Sequence, residues 1–94
     1  MTEFSDELII PLAEKDAEAI RQAILEKVAQ RGTMKSICPS EVARDIGGEG
    51  WRQLMPAIRQ IGTALADEGK IVVLQKGAIA NPRQVKGPIR YRII

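Results

Sequence analysis

Ninety-four residues with a formal net charge of +2 at pH 7 make one small domain with a single core. A chain 45% hydrophobic and 28% charged is too apolar for wholesale disorder, and no stretch approaches the roughly 20 apolar residues of a membrane span. The single cysteine, Cys38, excludes an internal disulfide framework, and the absence of histidine removes the usual zinc ligand and the usual near-neutral base, so no metal, cofactor or enzymatic activity is expected.

Residues 1–15 read as a leader without a clean period. Phe4, Leu8, Ile9 and Leu12 form a partial stripe interrupted by Pro11, suited to lie on the domain or against a partner, so monomer and homodimer both stay open. Glu3, Asp6 and Glu7 stand where an export signal would be basic, and a cytoplasmic location is expected. The domain proper, 16–94, opens with a helix predicted over Asp16–Arg31, with Asp16 as N-cap and Gly32 as stop. Ala17, Ile20, Ile24 and Val28 form its inward stripe, widened by Ala23 and Leu25. Ile37 and its neighbours suit a brief edge strand. Pro39 suits the first position of a short second helix, whose buried face is Val42, Ala43 and Ile46 and which ends at Gly47-Gly48.

A third helical stretch runs from about Trp51 to Glu68. Trp51, Leu54, Met55, Ile58, Ile61, Gly62 and Leu65 occupy one flank, and Arg52, Arg59, Gln60 and Thr63 gather on the other. A proline inside a helix costs about 3 kcal/mol, so Pro56 places the regular helix start near Gln53 or Leu54, with Trp51 packed just ahead of it. Ile71–Leu74 reads as a strand and Ile89–Ile94 as its partner, with Ile89, Tyr91 and Ile93 on one face and Arg90 and Arg92 on the other. The intervening 76–88 reads as one long loop, in which Asn81-Pro82 suits the cap of a single helical turn.

Helix, break, helix, strand pair is the order of a winged helix-turn-helix: mainly α with a small antiparallel sheet (α+β), three helices and a β-hairpin wing. Charge divides along the chain in the same sense. Residues 1–46 hold six Lys/Arg and nine Asp/Glu, whereas 47–94 hold eight and three. The expected function is therefore binding of double-stranded DNA, as a transcriptional regulator or accessory module. The recognition helix would run over about 53–68, with Arg52, Arg59, Gln60 and Thr63 facing the groove. Lys76, Arg83, Lys86, Arg90 and Arg92 would meet phosphates from the wing over 71–94. Each group also has a plainer reading, since surface helices need a polar face and edge strands use charge against aggregation. The alternative function is a winged-helix protein–protein adaptor that binds no nucleic acid. Cys38, beside Ile37, reads as a small buried hydrophobe before a redox sensor, and Trp51 as a core residue before a base-stacking platform. Gly47-Gly-Glu-Gly50 has no strand before it and does not make a phosphate loop.

Four separated stretches resemble a known signature: Ser36-Ile-Cys-Pro-Ser-Glu-Val-Ala-Arg44, Trp51-Arg-Gln-Leu-Met-Pro56, Glu68-Gly-Lys-Ile71 with Gln75-Lys-Gly77 beyond it, and Gly87-Pro-Ile-Arg90. Together they resemble a small bacterial family of winged-helix type with no established function, from about Asp16 to the C-terminus. The resemblance implies the fold and a bacterial, cytoplasmic setting. It brings no activity to carry over.

Overall fold

The computed structural model describes the backbone of residues 14–94 and the side chains from residue 16. The expected packing of the 1–15 leader lies outside the described residues. The first helix, α1, spans Glu14–Arg31, so Asp16 is an interior residue and not the N-cap the sequence predicts. Ile20, Ile24 and Val28 are buried, Ala23 and Leu25 pack beside them, and Gly32 stops the helix with φ +85°.

Ile37 forms a single antiparallel bridge with Tyr91, exchanging two backbone hydrogen bonds of 2.8 Å each. Helix α2, Pro39–Gly47, follows at once with proline in its first turn. Its start is fixed by Glu41, whose carboxylate accepts a 3.0 Å bond from the backbone N–H of Cys38. Val42 and Ala43 are fully buried, whereas Ile46, expected inward, is 43% exposed.

The predicted tight break is longer than two glycines. A 3-10 segment occupies Gly48–Leu54 before helix α3, Met55–Asp67. Pro56 thus stands in the first turn of α3, where its missing N–H costs nothing. Ile58, Gly62 and Leu65 are buried along one line of α3. Gly62 is required there by close approach: a Cβ at this position would collide with the Oη and Cζ atoms of Tyr91.

The sheet consists of β1 (Ile71–Gln75), β2 (Ala78–Ile79) and β3 (Arg90–Ile93), in the spatial order β2-β1-β3 with antiparallel pairing throughout. Ile71, Val73 and Tyr91 turn inward onto the helices; Val72 opposes Arg92, and Leu74 opposes both Arg90 and Ile79, on the outer side. The stretch expected as one long loop therefore contains a further strand. Lys76 and Gly77 both have positive φ (54° and 84°), which makes the two-residue turn that closes a hairpin. Two residues of strand are too short for a period-2 pattern to show in the sequence. Asn81 caps a single turn as expected: its Oδ1 accepts from Arg83 N at 2.9 Å, and its carbonyl from Gln84 and Val85. The described residues make an α+β arrangement, helices first and a small antiparallel sheet after, with one core between them. No helix among them is long and apolar enough to cross a membrane.

Candidate nucleic-acid interface

Helical geometry determines what α3 presents outward. With Ile58, Gly62 and Leu65 facing in, Pro56, Gln60, Ala64 and Asp67 face out and are exposed. Arg59 and Thr63 lie on the edge between, both half-buried, because the segment 81–88 runs beside that edge. Arg59 Nη2 donates to the Gly87 carbonyl at 3.2 Å, and two turns later Asp67 receives both Nη groups of Arg83 at 3.0 and 2.5 Å. Thr63 turns its hydroxyl back on its own helix, donating to the Arg59 carbonyl at 2.9 Å. Of the three α3 residues expected at the interface, Arg59, Gln60 and Thr63, Gln60 is thus the one both outward-facing and without a side-chain hydrogen bond among the described residues. Arg52 is also exposed, but it precedes α3, and its guanidinium carbon lies 4.5 Å from the centre of the Trp51 ring.

The hairpin is tied to the same segment. Gln75 Nε2 donates to the Lys86 carbonyl at 2.6 Å and to that of Pro88 at 3.3 Å. Lys76 follows Gln75 in the chain, and Lys86 opens the 86–88 segment, whose Gly87 carbonyl Arg59 holds from the helix side. None of these three cations has an ion-pair partner among the described residues, and both lysines are exposed.

The remaining expected wing cations go elsewhere. Arg83 is neutralised by Asp67, whose carboxyl that hydrogen bond holds below the usual range. Arg90 reaches back across β3 to Ser36, donating from Nε to Oγ at 2.6 Å and from Nη2 to the carbonyl at 2.9 Å, with Glu41 3.9 Å away. The Ser36 carbonyl also accepts from Arg31, which pairs with Glu41 at 2.6 Å. Burial pushes the Glu41 carboxyl up, but the Cys38 N–H and the Arg31 guanidinium outweigh it, and the group titrates below its ordinary value. Arg92 lies half-buried opposite Val72, its Nε buried with no partner among the described residues. Arg90 thus anchors Ser36, next to the single bridge at Ile37, and Arg92 lies opposite Val72 on the sheet.

Two residues gain significance that their sequence context did not show. Tyr91 is fully buried, and its hydroxyl, packed at Gly62, has no hydrogen-bond partner among the described residues. Burial pushes its ionisation up to about 12, against a smaller opposing pull from Arg59. Arg44, exposed in the last turn of α2, sets its guanidinium carbon 4.6 Å from the centre of the Trp51 ring, so Trp51 carries two arginines as well as packing on the core. The seven-residue separation of Arg44 from Trp51 gave no signal, because the intervening 3-10 segment has no period a sequence reading would extend.

Residues 17–94 match the family described as "Protein of unknown function (DUF3253)", and the chain belongs to that family. No curated protein matches it. The match agrees with the resemblance to a small family without an assigned function, over nearly the same residues.

Proposed function

We propose that residues 16–94 are a winged helix-turn-helix domain that binds double-stranded DNA, as a transcriptional regulator or accessory module. Helices α2 and α3 are the helix-turn-helix pair, α3 enters the major groove, and the hairpin with its 86–88 segment is the wing. The observation that carries this reading is the group Arg59, Lys76 and Lys86, set around one segment beside α3 and free of ion pairs among the described residues. Charge left unpaired and gathered in one place is what a phosphate backbone selects. Arg59 uses one N–H on Gly87, and a guanidinium has five, so it retains donors for phosphate. Gln60, exposed at the middle of α3, is placed for a bidentate contact with adenine, worth roughly 1–3 kcal/mol of discrimination.

The rival reading, a protein–protein adaptor, draws on a specific observation: of the four outward residues of α3, Pro56, Gln60 and Ala64 carry no charge, and the fourth, Asp67, is paired with Arg83. Fluorescence anisotropy with a random-sequence duplex across a salt series separates the two. The DNA reading expects binding at low salt that weakens steeply as salt rises. No binding at low salt supports the adaptor.

A further inference from the structure

Every residue from Ser36 to Ala43 has a visible structural task. Ser36 receives Arg31 and Arg90, Ile37 is buried and paired with Tyr91, Pro39 is buried at the helix start, and Val42 and Ala43 fill the core. Ser40 Oγ donates to Cys38 Sγ at 3.1 Å, and Glu41 receives the Cys38 N–H. Arg44 breaks that series. It is exposed, and its side chain makes no hydrogen bond or ion pair among the described residues; the same holds for the side chain of Arg52. The acids nearby are directed elsewhere or left alone: Asp45 pairs with Lys27 at 2.7 Å, and Glu49 pairs with neither arginine.

Both guanidiniums nevertheless lie over the indole ring of Trp51, at 4.6 and 4.5 Å from its centre. An aromatic face attracts a guanidinium without engaging its N–H groups, which point outward in the guanidinium plane. Trp51 is itself fixed by packing on the core. The result is two like charges on one aromatic support, their side-chain donors unengaged among the described residues. Each such contact is modestly stabilising at an exposed site, and it is offset in part by the repulsion between the two cations.

We propose that Arg44 and Arg52, supported on Trp51, form a phosphodiester-binding site at the α2–α3 junction, a second backbone contact for the same DNA. This inference rests on the DNA reading above. Planar forks match phosphate oxygens in bidentate fashion, and a site made only of donors reads backbone and carries no base preference. The site immediately precedes α3 in the chain, at the end opposite the Asp67–Arg83 pair, so it would grip the strand from the entrance of the groove while Lys76 and Lys86 grip from the hairpin.

Trp51 is the chain's sole tryptophan, so its emission reports on this site alone. A random-sequence duplex titrated into the protein is expected to change that emission. Each neutralised phosphate contributes about −0.9 to the slope of log affinity against log salt, so the double variant Arg44→Gln/Arg52→Gln is expected to lose about 1.8 from the slope. Between 50 and 200 mM salt that is about a tenfold smaller change in affinity. The Arg44→Lys/Arg52→Lys variant keeps the charges and is expected to keep the slope, which separates phosphate contact from loss of folding. A duplex that binds the wild type and the Gln variant with equal slopes, leaving Trp51 emission unmoved, overturns this site and leaves the DNA reading standing. No binding by the wild type overturns both.

Discussion

The two flanks of α3 are built from the same thirteen-residue helix and obey opposite constraints. On the inner flank Ile58, Gly62 and Leu65 are fixed by what they touch, and at Gly62 not even a methyl group fits against Tyr91. On the outer flank Pro56, Gln60 and Ala64 face solvent, and Arg59 stands at the boundary, held by one carbonyl. The inner flank is explained by folding. The outer flank is not, and Arg59, Lys76 and Lys86 near it make no ion pair among the described residues, whereas Arg83 does. The arginines divide as well: Arg21, Arg31, Arg59, Arg83 and Arg90 are engaged with carboxylates or carbonyls, while Arg44 and Arg52 rest on an aromatic ring. A count of cations along a sequence does not show which of them internal pairing leaves free.

The largest effect expected from breaking this contrast is at Gly62. Gly62→Ala gains helix propensity of up to about 1 kcal/mol but forces Tyr91 or the backbone to move, and overpacking of this kind costs about 1–3 kcal/mol or more. A clear fall in the thermal midpoint is expected, and an unchanged midpoint would mean that Tyr91 does not lie under α3. Next comes Glu41→Gln, which weakens the N-terminal cap of α2 and removes the ion pair with Arg31, for about 1 kcal/mol. Because the folded-state value of Glu41 is depressed, its contribution is present above the ordinary value of 4.5 and is lost as pH falls through the lower folded value. The variant should therefore show a shallower loss of stability below about pH 4.5 when melts are compared across acid pH.

Tyr91 supplies the alkaline counterpart. Its folded value is raised, so the neutral phenol contributes fully below pH 10.0 and loses that contribution as pH climbs toward about 12. Tyr91→Phe is expected to abolish that alkaline loss. Near neutrality it should cost little, because the hydroxyl it removes is buried without a partner. The smallest stability effect is on the outer flank: Gln60→Ala should stay within about ±0.5 kcal/mol of the wild type in denaturant melts. If Gln60 proved as sensitive as Gly62, the two flanks would not differ in kind.

Much of the helical framework was legible in the sequence because apolar spacing and local stops act over a few residues. The stripe Ile20, Ile24 and Val28, the stop at Gly32, Pro39 at a helix start and the late start forced by Pro56 all follow from such local rules. The brief edge strand expected around Ile37 is a single bridge, and its partner, Tyr91, was not legible in the sequence. What the sequence hid were matters decided at long range. Strand β2 is two residues long, and its signal is a backbone turn at Lys76-Gly77. The partners of Arg83 and Arg90 lie 16 and 54 residues away, so no local pattern shows that these cations are already engaged. The period of α2 predicts Ile46 as buried, yet it is exposed, followed at once by the 3-10 segment in which that period ends.

The account depends most on Arg59, Lys76 and Lys86 acting together on phosphate while Arg83 and Arg90 serve the fold. The direct test is the salt slope of duplex binding, compared per charge removed, for Arg59→Ala/Lys76→Ala/Lys86→Ala against Arg83→Ala/Arg90→Ala. The triple variant is expected to lose about 2.7 from the slope, at about 0.9 per phosphate, and the double variant to keep nearly all of it at the cost of thermal stability. Equal losses per charge removed, or a slope untouched by the triple variant, would contradict the assignment.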